Sequence, residues 1–319
     1  MLRTRLCDFF DIQHPVIQAP MAFAAGGVLA SAVTHAGGLG LIGGAYGDVD
    51  WIATEFRNAG NARIGCGLIT WAVADKPHVV EQVLEHRPRA LFLSFGDPGW
   101  AATMAHERDV PVICQVQTLD VARQALDAGA QVIVAQGAEA GGHGESRATF
   151  TLVPEIANLL AKSSPETILC AAGGIADGRG LAAALMLGAD GVLVGSRFWA
   201  SQEALVHEAM HREAIKASGD DTIRSSVMDI ARRLNWPERY TARVLKNGFT
   251  DKWHDDLPGL MAVQDEEADR WRAAWQAGDM DVANTFVGEA TGLINDIQPA
   301  AVILEQMVQE ARAQLNRYG

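Results

Sequence analysis

No apolar stretch of this chain reaches the ~18 residues that a membrane helix requires, which excludes a helical membrane span. The first ten residues, Met1 to Phe10, are charged and lack the apolar core of a signal peptide. The four cysteines, Cys7, Cys66, Cys114 and Cys170, are far apart, with no Cys-x-x-Cys pair and no Cys/His metal spacing. Cys66, Cys114 and Cys170 fall in or beside apolar runs, as buried thiols do. Basic residues are scarce: 26 Lys and Arg against 39 Asp and Glu leave a net charge of −13, with no basic run. That balance excludes nucleic acid and an anionic membrane as partners. A nucleophile elbow of the Gly-x-Ser-x-Gly kind is missing, and so is a Gly-x-Gly-x-x-Gly fingerprint after the first strand. The expectation is a cytoplasmic enzyme or binding protein for a small molecule, without a metal; a homodimer is compatible with it.

What is present is apolar material in a regular order. Eight short apolar runs predict strands: 16–19, 39–43, 63–68, 90–94, 111–116, 131–135, 167–172 and 191–194. Helical segments alternate with them, at 28–35, 49–59, 77–86, 119–128, 152–162 and 178–187. Asp48 is placed to cap the second of these helices and Gly129 to end the fourth. Strands alternating with helices imply a parallel sheet with helical crossovers, either an open doubly wound sheet or a closed barrel. The count of eight and the shortness of the strands favour an α/β fold of the TIM (β/α)8 type.

After Trp199 the texture changes. Residues 201–281 are charged and read as helical, with no convincing strand, and five of the eight tryptophans lie from Trp199 onward. We expect a helical subdomain inserted after the eighth strand. The division predicted is a barrel of residues 1–205 plus 286–319 and a substrate-side subdomain of 206–285. The terminal stretch 294–315 has apolar residues at helical spacing and is expected to pack back on the barrel.

In such a barrel, chemistry sits on the loops that follow the strands. Gly173-Gly174 follows the seventh strand and Gly195-Ser196 the eighth, the places where barrels hold a phosphate on backbone N–H groups. The helix starting at Gly178 would add a favourable dipole. The sixth strand ends in Gln136-Gly137-Ala138-Glu139-Ala140-Gly141-Gly142-His143-Gly144, four glycines in eight residues around one histidine. Glycines there allow backbone to approach a ligand, and His143 can exchange a proton near neutral pH. Glu139 could orient that histidine or terminate a helix. His207 and His211 stand one helical turn apart without a third ligand, so no metal is expected from them.

Gln18-Ala19-Pro20-Met21-Ala22, the Gln136-to-His143 loop, Ala171-Ala172-Gly173-Gly174-Ile175 and Gly195-Ser196-Arg197-Phe198 occur in one order. In these motifs the chain resembles the nitronate monooxygenases, formerly 2-nitropropane dioxygenases, over nearly its whole length. The resemblance implies FMN, with its phosphate on Gly173, Gly174, Gly195 and Ser196. Pro20, Met21 and Ala22 would run beside the flavin ring, and Gly67, Gln115, Gln136, Gly137 and Gly142 would complete the cradle. It further implies His143 as the catalytic base or the group that steadies an anionic nitronate. Nitronates, and nitroalkanes, would react with O2 to give a carbonyl product and nitrite. Many relatives carry asparagine near the end of the third strand, where this chain has Cys66-Gly67. The FMN-dependent enoyl-(acyl-carrier-protein) reductases, which use a nicotinamide, have a similar Gly-Gly-His loop. Such a reductase is the alternative, and a catalytically silent flavin- or phosphate-binding protein is a third reading.

Overall fold

The computed structural model describes residues 2–318. Eight parallel strands form the barrel: β1 (Val16–Gln18), β2 (Leu41–Ala45), β3 (Gly65–Ile69), β4 (Leu91–Ser94), β5 (Val112–Val116), β6 (Val132–Gln136), β8 (Ile168–Ala172) and β9 (Gly191–Val194). They neighbour one another in the order β1-β9-β8-β6-β5-β4-β3-β2. The ring closes because Leu39, just before β2, bridges Ile17 of β1. Leu39 N–H donates to the Val16 carbonyl at 3.0 Å, and Gln18 N–H donates to that of Leu39 at 2.9 Å. The fold is therefore the TIM barrel that the count of eight apolar runs predicted.

Local chemistry sets the crossover helices. Asp48 accepts from Trp51 N–H, Thr118 from Val121 N–H, and Asp177 from the N–H groups of Arg179 and Gly180. Each satisfies donors that a helix start leaves orphaned. Gly129, at φ 78°, follows the helix Leu119–Asp127 in a left-handed conformation that suits glycine. Four helices of the barrel lie outside the expected set, two of them only a turn long, Thr70–Val73 and Ser196–Trp199. Gly99–His106 is the crossover after β4, hidden in the sequence by the preceding Asp97-Pro98. Arg5–Phe10 inserts Leu6 and Phe10 among the residues inside the barrel, where each is at most 1% exposed. Burying two such side chains contributes roughly 1.5–3 kcal/mol each and plugs the end of the barrel away from the loops that follow the strands.

Residues 201–285 are not helical throughout. Thr222–Ser225 (β10) and Thr241–Leu245 (β11) are strands, and Gly142–Gly144 of the histidine loop (β7) joins them in a three-stranded antiparallel sheet. Ala242 stands opposite His143 in that ladder. A separate core of Trp199, Met228, Val244, Phe249, Trp253, Leu260 and Trp271 fills this part of the molecule. The last helix, Ala300–Tyr318, begins later than expected, after a short turn of helix at Glu289–Leu293. It packs on the helices Gly178–Met186 and Gly27–His35. Among the described residues no helix is long and apolar enough to cross a membrane.

Candidate active site

A cavity of about 650 Å³ opens where the barrel strands end. Its walls include Pro20, Met21, Ala22, Gly67, Gln115, Gln136, Gly142, His143, Gly173, Gly174, Gly195 and Ser196, so these sequence-predicted residues meet in one space. Gly137 is the exception. A Cβ there would lie 2.0 Å from Thr149 Oγ1 and 2.4 Å from Thr149 N, so this glycine lets the loop press against a helix start.

The other glycines divide by the same measure. At Gly67 a Cβ would strike the Pro20 ring at 2.4 Å, and at Gly173 the Gly137 carbonyl at 2.9 Å. These positions are glycine because protein packs there. At Gly142 nothing of the protein comes within 4 Å, at Gly174 the nearest atom is 3.4 Å away, and at Gly195 it is 3.8 Å away. A Cβ would clash with protein at none of the three. Gly142 and Gly174 hold left-handed backbone, at φ 70° and 74°, that suits glycine, whereas Gly195 does not and stands beside the cavity without a packing reason for glycine. Three non-glycine residues on the cavity wall, Phe23, Ala45 and Phe95, hold φ between 45° and 63°. Left-handed backbone of this kind costs ~1–3 kcal/mol per residue and clusters at binding sites.

The expected role of the helix at Gly178 does not hold. Its first N–H groups are already taken: Asp177 accepts from Arg179 and Gly180 at 2.9 and 3.2 Å, and Glu310 accepts from Gly178 at 3.0 Å. A second anion would meet two carboxylates. The short helix Ser196–Trp199 differs, because Gly195 at its start supplies no side-chain cap. Ser196 Oγ accepts from Gly288 N–H at 2.9 Å, which leaves its own hydroxyl hydrogen to donate.

His143 is held from several sides. Both oxygens of Asp229 lie on its Nε2, at 3.0 and 2.9 Å, and the two side chains are 9% and 4% exposed. Trp236 stacks on the imidazole with centroids 3.4 Å apart and planes 5° from parallel. The Gln136 amide donates to the His143 carbonyl at 3.0 Å, while its oxygen accepts from Gln115 and Gln117 at 3.1 and 2.8 Å. Gln136 thus works chiefly as a brace for β7. Burial lowers the His143 pKa below its ordinary value, against an upward pull from Asp229, so the ring is neutral near pH 7. A carboxylate on Nε2 fixes the tautomer with its proton there. Nδ1, which makes no hydrogen bond among the described residues, keeps its lone pair for a ligand.

Glu139 terminates a helix. Its carboxylate accepts from Thr149 N–H at 3.0 Å and from Thr149 Oγ1 at 2.9 Å, at the start of Thr149–Ser163. Arg224 of β10 and Arg243 of β11 converge on the Ala138 carbonyl, at 3.2 and 3.0 Å. Burial and its neighbour Arg243 bring the Arg224 pKa down to about 10. His211 donates from Nε2 to the Trp199 carbonyl, 2.9 Å away, and His207 caps its own helix. Among the described residues no cluster of His, Cys, Asp or Glu could hold a metal ion. All four cysteines are buried and free, and burial pushes the Cys66 and Cys114 thiols up to about 12. Asp229 and Trp236 escaped the sequence reading: they lie in the charged segment, far along the chain from His143, with no motif around them.

A parallel barrel with a ligand-sized cavity at its strand ends and a neutral, oriented histidine on the wall defines an enzyme of the barrel type. Comparison narrows the class. The nitronate monooxygenase family model matches residues 3–63 and 68–310. Nitronate monooxygenase npaC of Metarhizium robertsii is 37% identical, covering 93% of this chain and 91% of its own length. Nitronate monooxygenase of Neurospora crassa is 32% identical, covering 98% and 94%. The structure of FabK from Thermotoga maritima matches with a TM-score of 0.87 at 31% identity, over 99% of this chain and 98% of that one. That of nitroalkane oxidase from Streptomyces ansochromogenes shares the fold, with a TM-score of 0.80 at 23% identity over 98% and 100%. The chain belongs to the nitronate monooxygenase family, and it is an oxidoreductase.

Proposed function

We propose that the enzyme oxidises alkyl nitronates with O2, and neutral nitroalkanes after deprotonation, to a carbonyl compound and nitrite on bound FMN. One observation carries this reading: His143, with only its Nε2 hydrogen-bonded among the described residues, lines a cavity on whose wall Gly142, Gly174 and Gly195 leave backbone exposed without a protein clash. The chain's residues fit the cofactor. The backbone of Gly174 and Gly195 with the Ser196 hydroxyl would take its phosphate, and Pro20–Ala22 would border its ring. Bound FMN supplies the acceptor for the substrate's electrons. Cys66, 0% exposed behind Gly67, offers no polar group in the place where many relatives have asparagine.

The residues divide the remaining work. A nitroalkane carries its acidic proton on the carbon beside the nitro group. Nδ1 of His143 takes that proton, and the electron pair moves into the nitro group to give the nitronate. Asp229 then faces an imidazolium, which its charge steadies. The imidazolium in turn stands beside the anionic nitronate. Phe95 and Trp236 pack against the histidine, with Tyr240 against both of them, and the burial they give strengthens these charge interactions.

The test begins with the visible spectrum of the purified protein. Absence of flavin absorption, before and after FMN reconstitution, would sink the proposal. With flavin present, anaerobic ethyl nitronate is expected to bleach it, and aerobic turnover to release nitrite. Bleaching by NADPH and not by nitronate would establish the enoyl-thioester reductase alternative instead.

A further inference from the structure

Arg232 reaches the cavity wall inside a frame of rings. Its guanidinium carbon is 5.5 Å from the centroid of Phe23, 5.9 Å from Tyr46, 5.8 Å from Trp271 and 5.7 Å from Phe286. Rings attract a guanidinium through their quadrupole without neutralising its charge. Among the described residues no carboxylate pairs with it. Asp229, three residues earlier, has both oxygens on His143, and neighbouring Arg233 has Asp265. The other cations of the cavity wall are committed: Arg272 pairs with Asp269 at 2.9 Å, and His207 caps a helix. The one acidic side chain on the wall, Glu139, is spent on Thr149. An acidic protein of net charge −13 thus keeps at its cavity a planar cation that pairs with no carboxylate among the described residues, its side chain resting on rings and on the Tyr46 hydroxyl.

The charge is also close to the chemistry. Arg232 helps to lower the His143 pKa, so its field reaches the base. Its surroundings are flat and apolar: Trp271 stacks on Trp275 at 5.1 Å, and Trp275 meets Phe286 at 6.4 Å. Aromatic walls take an aromatic ligand, and a guanidinium fork takes a carboxylate through two parallel N–H···O bonds.

We propose that Arg232 is the specificity-determining residue, and that it anchors the carboxylate of an aromatic substrate whose nitro-bearing carbon meets His143. This rests on the nitronate reading for the reacting group, whereas the anchor itself does not. A substrate of this class is a nitromethyl-substituted aryl carboxylate. The anchor contributes to binding and leaves the proton transfer to His143, so its loss raises KM far more than it lowers kcat.

Titration calorimetry of the purified protein with benzoate and with benzamide, its neutral isostere, tests the anchor without turnover. Benzoate should bind about 10- to 100-fold tighter, as hydrogen bonds to a charged group would give. Arg232→Gln should abolish that preference and leave benzamide binding unchanged, which also shows that the cavity is intact. Arg232→Lys should keep part of it. Equal affinity for the two ligands, no binding of benzoate, or a preference that survives Arg232→Gln would each overturn the proposal. Turnover of 4-(nitromethyl)benzoate against phenylnitromethane separates the two readings. A calorimetric preference with neither compound turned over sinks the nitronate reading and leaves the anchor standing.

Discussion

Asp229 and His143 stand 86 residues apart in the chain and meet through both carboxylate oxygens on a single imidazole nitrogen. The carboxylate comes from the short helix Val227–Ala231, between β10 and β11, and the imidazole from β7. Two segments of the chain therefore build one buried histidine–carboxylate pair.

Asp229→Asn should keep the flavin but lower kcat on neutral nitroalkanes by roughly 10²–10⁴-fold, because an amide does not fix the tautomer or steady the imidazolium. Preformed nitronate needs no proton abstraction and should suffer much less. Steady-state rates on nitroethane and on ethyl nitronate decide the matter. Equal losses on both would show that Asp229 does not act through the base.

The pH dependence follows from the lowered His143 pKa. On neutral nitroalkanes the acid limb of kcat/KM should lie below the ordinary histidine value of ~6.5. Removing the Asp229 charge should move it lower still, because that charge pulls the pKa up. Stability has the same sign. Between ~6.5 and the folded value the unfolded chain binds the proton more readily, so His143 destabilises the fold as pH falls through that window and costs nothing above it. His143→Gln should be less acid-sensitive in thermal melts, and an acid limb at or above 6.5 would contradict the assignment.

Two glycine substitutions should part company. A Cβ at Gly195 has its nearest neighbours at 3.8 and 3.9 Å, so Gly195→Ala should leave stability within ~0.5 kcal/mol. It should still weaken flavin binding about tenfold or more, a step of ~1.4 kcal/mol. Gly137→Ala collides with Thr149 and should cost ~1–3 kcal/mol of stability. Denaturant melts and flavin titrations on both variants give the comparison. A Gly195→Ala protein with unchanged flavin affinity would argue against a ligand at that corner.

Glu139 should behave as a cap. Glu139→Ala removes the acceptor for Thr149 N–H and should destabilise by about 1–2 kcal/mol. With flavin saturating, the pH profile should be unchanged. A shifted profile would assign Glu139 to His143 after all.

The barrel was legible in the sequence because its strands are buried on both faces and read as apolar runs, such as residues 132–135 and Ile168–Ala172. Helix starts were legible where a capping residue stood, as at Asp48. The sheet of β7, β10 and β11 was not. Arg224 and Arg243 interrupt its apolar alternation and resemble charges on a solvated helix, yet both turn inward onto the Ala138 carbonyl. A Gly-His-Gly stretch has no strand propensity of its own and becomes one only through its partner β11. Asp229 and Arg232 could not be found by spacing, since what they touch lies elsewhere in the chain. The anion-binding role given to the helix at Gly178 failed for a reason visible only in space: Glu310 arrives there from the last helix.

The antiparallel ladder between β7 and β11 also ties the histidine to a segment almost a hundred residues further on. The barrel strands carry the glycine corner and the segment Pro20–Ala22, so a nascent barrel could take up its cofactor early. The base, however, has neither its strand partner nor its carboxylate until residues 222–245 have docked. With His143 as the proposed base, proton abstraction needs that docking. A flavin bound to a half-made barrel would have no competent histidine beside it.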